Sequence, residues 1–290
     1  MSFKYDISKA GCPIDCKYCV ITKVDSRRSL WDKHTIIGIN KAVTILNPPP
    51  DMNDKQAIKE FYDFPLGLFE GDYVGFNAIS DPFWGIYEKE LDYFLENVSP
   101  IAKLVTCVTK FPISDKTFVK LAKYKNFRLI VSITGLDSIE KSDTKSRLLN
   151  LQKAKEYGIE AFPICHPYIA GMSDLSFLKK LREIGYKYID VKGLRYNHQN
   201  MSSWMPEKSQ KYYIGTNEKE ILPEDGWRER LKQEGFELKS LKSWYRKDNL
   251  SPKLTLEQAK EKVQKILQFA NITSSDTDQA VIDAAIQRRL

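Results

Sequence analysis

Gly11-Cys12-Pro13-Ile14-Asp15-Cys16-Lys17-Tyr18-Cys19 places three of the chain's five cysteines within eight residues, in the spacing C-x3-C-x2-C with an aromatic residue before the last. Thiolates this close in sequence can turn inward on one metal centre. A full protein ligand set for a cubane iron–sulfur cluster is four cysteines, so three imply either a distant fourth ligand or an open iron. An open coordination position is what a metal centre needs to bind a substrate or cosubstrate directly. The alternative is a structural zinc site completed by a histidine or a fourth cysteine. His34 is the nearest histidine, outside the short spacing of a zinc knuckle, and Cys107 and Cys165 stand isolated in apolar runs.

Outward from this loop the sequence alternates short apolar segments with amphipathic ones. Phe3, Tyr5 and Ile7 alternate ahead of the cysteines, which predicts a strand over Phe3–Ala10. Helical spacing through Ile37, Asn40, Val43 and Leu46 predicts a helix that stops at Pro48, and a second helix is expected over Asp54–Tyr62, capped by Asn53. Strands follow at Tyr73–Ile79, Leu104–Thr109, Leu129–Thr134, Ala161–Cys165 and Tyr188–Val191. Between them lie helices at Ile86–Asn97 (apolar face Ile86, Leu91, Phe94, Leu95), Asp115–Tyr124, Ser146–Tyr157 and Leu175–Ile184. This alternation argues for βαβ units and a parallel sheet, with functional groups at the C-terminal strand ends.

The regular alternation stops after Asn197. A helix over Pro223–Gln233, a strand-like Phe236–Tyr245, a helix over Leu256–Phe269 and a last one over Asp276–Arg289 complete the chain. The expected division is therefore a core over residues 1–197 and an extension over 198–290 serving as a cap or partner surface. Lys239-Ser240-Leu241-Lys242-Ser243-Trp244-Tyr245-Arg246-Lys247 interleaves cations and aromatics, which suits either phosphate contact with base stacking or an amphipathic edge strand with snorkelling lysines.

Composition bounds the rest. With 290 residues, 42% hydrophobic and 29% charged, the chain reads as a globular α/β protein. An odd cysteine count with three clustered argues against a disulfide framework and for a reducing compartment, and the N-terminus shows no apolar signal region; a cytoplasmic location is expected. No apolar run is long enough to span a membrane. The net charge of +7 allows an anionic partner, nucleic acid included.

The spacing of Cys12, Cys16 and Cys19, the aromatic Tyr18 and the position near the N-terminus resemble the radical S-adenosylmethionine (SAM) superfamily. That resemblance implies a partial (β/α)6 barrel with a C-terminal mixed and helical extension. It implies a [4Fe-4S] cluster on the three cysteines, with SAM on the fourth iron, and cleavage of SAM to a 5′-deoxyadenosyl radical that abstracts hydrogen from a substrate. An external electron donor of flavodoxin or ferredoxin type would be a partner. The loops after the strands are most similar to the spore photoproduct lyase-like subgroup: Ser80-Asp81-Pro82-Phe83, Thr109-Lys110, Ser132-Ile133-Thr134-Gly135 and the run from His166 to Asp174. By that resemblance Tyr18, Asn77, Ser80, Asp81, Lys110, Ser132, Thr134 and Arg147 are the expected cofactor-binding residues. Arg and Lys at strand ends suit a carboxylate, and Arg can bind one bidentately.

The superfamily's common Gly-Gly-Glu is replaced here by the Asn77–Asp81 segment, and Ser-Asp-Pro is equally a helix-capping sequence. The subgroup's photolyase uses a cysteine near its C-terminus as hydrogen donor, whereas no cysteine follows Cys165. That argues against the photolyase activity itself; Cys165 is the candidate catalytic thiol as a radical-quenching donor, against the commoner role of a buried small hydrophobe. The expected substrate is a nucleic acid or nucleotide, next a ribosomal peptide. The competing class is a non-catalytic zinc- or cluster-containing nucleic-acid-binding protein.

Overall fold

The computed structural model describes residues 2–7, 12–19, 35–37, 43–47, 71, 73–76, 80–195, 201–213, 220–221, 226–241, 244, 254–269, 283, 286 and 287. In chain order these form β1 (Ser2–Ile7), β2 (Thr35–Ile37), β3 (Val43–Asn47), β4 (Tyr73–Phe76), a 3-10 turn (Gly85–Tyr87) leading into α1 (Glu88–Asn97), β5 (Leu104–Thr109), α2 (Asp115–Leu121), β6 (Phe127–Ser132), α3 (Thr144–Glu156), β7 (Glu160–Cys165), α4 (Phe177–Glu183) and β8 (Tyr188–Val191). Then come β9 (Leu194–Arg195), a 3-10 turn (Met201–Ser203), α5 (Glu207–Gln210), β10 (Glu220–Ile221), α6 (Trp227–Gln233), β11 (Glu237–Leu238) and α7 (Leu256–Phe269). All six expected strands are present, in an α/β arrangement of parallel strands and helices.

The chain divides into two units, one made of Met1–Gly11, Asp25–Cys107 and Leu250–Leu290, the other of Cys12–Val24 and Val108–Asn249. In the first, β1 lies between β3 and β4 and is parallel to both, and β4 is parallel to β5. Parallel neighbours need a long crossover rather than a hairpin, and α1 supplies it between β4 and β5. Phe94 of α1 stacks on Phe76 of β4 with ring centroids 4.7 Å apart, and Leu91 and Leu95 are buried beside it. Ile86, expected on this apolar face, sits in the 3-10 turn and is exposed.

The helix expected through Ile37–Leu46 is corrected by the structure. Thr35–Ile37 and Val43–Asn47 are antiparallel strands, with β3 paired along β1 from Phe3↔Val43 to Ile7↔Asn47. Thr-Ile-Ile and Val-Thr-Ile-Leu are runs of β-branched and apolar residues, and partner strands on offer outweigh a coincidental i, i+3 spacing. Residues 8–10, the expected helix Asp54–Tyr62 and most of Asp276–Arg289 lie outside the described residues.

In the second unit β6, β7, β8 and β11 run parallel in that order. The β6 and β7 residues are buried on both faces over most of their length, as a covered parallel sheet requires. Helix α3 begins where the Asp143 carboxylate accepts from the Ser146 amide at 2.6 Å. It ends at Gly158, whose φ of +68° permits the paired bonds Gly158 N–H to Lys155 O and Ile159 N–H to Ala154 O. The Phe236–Tyr245 strand is shorter than expected: β11 covers Glu237–Leu238, after which Leu241 and Trp244 turn onto the apolar patch of Ile130, Phe162 and Ile164. Trp244 packs on Phe162 with centroids 4.9 Å apart, and Lys239 lies over the Tyr188 ring.

Candidate functional site

Ile14, Cys16 and Tyr18 alternate inward from the cysteine loop and are buried, while Cys12 and Cys19 are half-buried. They share one apolar cluster with Leu136, Ile169, Leu194, Met205 and Tyr213, flanked by Phe111, Ile139, Met172, Met201 and Trp204. Asp15 adopts a φ of +45°, and the Cys19 amide donates to the Cys16 carbonyl at 3.0 Å, which closes the turn between these two cysteines. Two main-chain bonds dock the loop on a facing segment: Lys17 N–H to Ile139 O at 3.2 Å and Lys141 N–H to Ile14 O at 2.9 Å.

The donor set suits a thiophilic centre, with three thiols on one loop. Among the described residues, however, no three Cys, His, Asp or Glu side chains stand together as a metal-holding group. Burial pushes the Cys16 thiol up, an effect the Lys110 charge opposes and the Glu140 charge adds to.

Between the two docking bonds lies Glu140, whose side chain is shielded from solvent. Its Oε1 accepts from the Tyr18 hydroxyl, from Lys110 Nζ at 2.7 Å and from Thr134 Oγ1 at 2.9 Å. Its Oε2 is paired with the Arg147 guanidinium, which also donates to Thr134 Oγ1 at 3.1 Å and to the Ser142 carbonyl. Lys110 Nζ donates to the Tyr18 hydroxyl and lies 4.7 Å from the centre of that ring. Burial alone would raise the Glu140 carboxyl, but the charges of Lys110 and Arg147 and these hydrogen bonds hold it below the ordinary range. Burial first, then the Glu140 charge, pushes the Tyr18 phenol well above its ordinary range, so it remains a donor.

Four of the expected cofactor-binding residues, Tyr18, Lys110, Thr134 and Arg147, thus converge on one carboxylate. They differ in access: the Lys110 side chain is 14% exposed and that of Arg147 is 0% exposed. Ser132 is buried, and its hydroxyl donates to the His166 carbonyl at 3.4 Å. Ser80 and Asp81 belong to the first unit, where both are buried and the Asp81 carboxylate accepts from the Phe83 amide at 3.1 Å, a local turn contact. Asn77 lies outside the described residues.

Cys165 is 1% exposed. It lies among Tyr168, Leu175, Phe177, Leu178, Ile189, Val191 and Leu231, with Sγ 3.7 Å from the Pro167 carbonyl. Burial pushes its thiol up to about 12. These are the surroundings of a small buried hydrophobe.

Two groups escaped the sequence reading. Glu140 stands in the polar run Asp137-Ser138-Ile139-Glu140-Lys141-Ser142, which reads as solvated loop, and no local spacing marks it. Asp190 pairs with His166, Oδ2 to Nε2 at 3.4 Å, and accepts from the Leu241 amide at 3.0 Å. An acidic residue inside the short apolar strand Tyr188–Val191 was the available signal.

No family model matches the chain, and no curated protein sequence matches it. Among solved structures, it is similar to Streptococcus suis SuiB at 13% identity and a TM-score of 0.45, over 90% of this chain and 55% of that one. SuiB bound to S-adenosylmethionine aligns at 15% identity and a TM-score of 0.42, over 69% of this chain and 40% of that chain. Native anSMEcpe with bound AdoMet aligns at 15% identity and a TM-score of 0.43, over 69% of this chain and 55% of that chain. The chain therefore spans about half the length of these structures, between 40% and 55%.

Proposed function

We propose that this chain is a radical SAM enzyme. The observation that carries the reading is the seating of the Cys12–Cys16–Cys19 loop, through Tyr18, against Lys110 and Glu140, the carboxylate that Thr134 also meets, just past the C-terminal ends of β5 and β6, where α/β folds collect their functional groups. Cys12, Cys16 and Cys19 would hold a [4Fe-4S] cluster, whose chemistry is one-electron cleavage of bound SAM to a 5′-deoxyadenosyl radical. Electrons would come from a flavodoxin- or ferredoxin-type donor.

The residues of the chain divide the remaining work. Lys110, partly exposed and lying over the Tyr18 ring, is the cation that reaches the SAM carboxylate. Arg147, with no exposed surface, neutralises Glu140 and holds Thr134 and the Ser142 carbonyl in place. Ser132 and Thr134 contribute hydroxyls for the ribose.

Within their own unit, residues 201–213 act as a cap on the cysteine loop. Met201, Trp204, Met205 and Tyr213 pack on the cluster that seats the cysteine loop, which supports this role. Its apolar side chains keep water from the loop, as radical chemistry demands. The substrate class we favour is a nucleic acid or nucleotide, on the net charge of +7.

The test is anaerobic reconstitution with iron and sulfide, reduction in the presence of SAM, and mass-spectrometric assay of 5′-deoxyadenosine for wild type and Cys16→Ala. Deoxyadenosine from wild type alone supports the reading. A reconstituted wild type that binds no iron, and instead binds oligonucleotides with a steep salt dependence, overturns it in favour of a metal-containing binding protein.

A further inference from the structure

We propose that Glu140 is a positioning residue that fixes the cysteine loop onto the rest of its unit through the Tyr18 hydroxyl. This rests on the reading of Cys12, Cys16 and Cys19 as ligands only for its purpose; the contact itself is a property of the chain.

The geometry concentrates on one short segment. Ile139 O and Lys141 N–H both bond to the cysteine loop, at Lys17 and Ile14, so the main chain on either side of Glu140 is already tied to that loop. The side chain between them points inward and is met by groups from four other places: Tyr18 on the loop, Lys110 just beyond β5, Thr134 beyond β6 and Arg147 on α3. A carboxylate removed from water is costly unless its lone pairs are filled and its charge is balanced. Here Lys110 and Arg147 balance the charge, and Lys110, Thr134 and Tyr18 all donate to Oε1, so Tyr18 is drawn to a fixed point.

Tyr18 lies between Cys16 and Cys19, so fixing its ring fixes the path of the chain on which two of the three thiols stand. Apolar packing of Ile14 and Cys16 holds the loop down but does not specify its register. The directional bonds at Tyr18 supply what packing lacks, as a supporting shell does for a metal ligand.

Hydrogen exchange of the full-length, metal-free protein tests this directly, because the Lys17, Cys19 and Lys141 amides are the donors of the bonds that define the loop's seat. Tyr18→Phe removes one hydroxyl and leaves the Glu140–Arg147 and Glu140–Lys110 pairs in place; Glu140→Gln removes the shared charge. The expected result is exchange at these amides faster by about tenfold or more in Tyr18→Phe, with β7 amides unchanged. Should Glu140→Gln fold, it shows the same loop acceleration, and the double variant adds little to either single one. Unchanged loop exchange in Tyr18→Phe overturns the proposal, and so does acceleration that extends equally to β7, which would make Tyr18 a general packing residue.

In reconstituted protein Tyr18→Phe is further expected to retain less than about half of the wild-type iron per chain, in line with the effect of losing a supporting shell. A wild type that takes up no iron sinks the enzymatic reading and leaves the exchange result standing.

Discussion

Arg147 and Glu140 form an ion pair in which neither side chain has any exposed surface. A pair this deep is not evidence of high stability, since desolvation offsets most of the attraction, but breaking it strands a charge. Arg147→Ala is expected to cost about 3–5 kcal/mol in urea unfolding. Lys110→Met is expected to cost less than half of that, because Arg147 still compensates Glu140 and the lysine is partly solvated. Equal costs would mean that the two cations carry equal shares.

Gly135 approaches the turn before α4 too closely to carry a side chain. Its carbonyl accepts from the Asp174 amide at 2.9 Å, its φ is +63°, and a Cβ would lie 2.1 Å from the Asp174 carbonyl oxygen. Backbone atoms cannot swing aside as a side-chain tip can. Gly135→Ala is expected to destabilise by about 2 kcal/mol or more. Gly85→Ala, where a Cβ meets nothing within 4 Å, is expected to change stability by less than about 0.5 kcal/mol. Denaturant midpoints of the two variants check the contrast.

Asp190 supplies a pH signature. Burial alone would raise its carboxyl, but hydrogen bonding and charge from His166, the Leu241 amide and the Lys192 charge together hold it below the ordinary value of 3.8. Because the folded value lies below the unfolded one, the stabilisation is complete above the unfolded value and is lost as pH falls through the folded one. The stability difference between wild type and Asp190→Asn should therefore shrink as pH falls below about 4, where the carboxyl protonates. Chemical denaturation at a series of pH values between about 5 and 3 measures it; a difference that grows over that range would refute the assignment.

Trp244 covers the face of Phe162 and adjoins the Leu241 contact with Asp190. Trp244→Ala is expected to cost about 1–2 kcal/mol, from the lost ring pair and the half-buried surface. Trp244→Phe should recover most of this in the same unfolding assay. The tryptophan that the sequence offered as a base-stacking platform is thereby accounted for by packing within its own unit.

The alternating core was legible because a parallel sheet covered on both faces writes its strands as compact apolar runs. Leu104–Thr109 and Tyr188–Val191 read correctly to the residue, and α7 did so from its periodicity. The segments β2 and β3 were misread because strand preference and helical spacing overlap in short apolar runs, and only a partner such as β1 decides between them. The three cysteines announced themselves by spacing. Glu140 did not, since it meets Tyr18 across 122 positions of sequence and its neighbours are ordinary loop residues. Charge partners brought together by topology leave no local pattern to read.

The interleaving of the two units has a consequence for biosynthesis. Every residue of the unit that carries the cysteine loop has been made once Asn249 is polymerised, whereas the unit built on β1 also contains Leu250–Leu290. Strand β1, made before the thiol loop, therefore belongs to the assembly finished after it. On a ribosome adding roughly 5–20 residues per second, the later-starting unit has a head start of several seconds in which to condense. The thiol loop belongs to the earlier-finishing unit, so its seat can form while the other unit still awaits Leu250–Leu290.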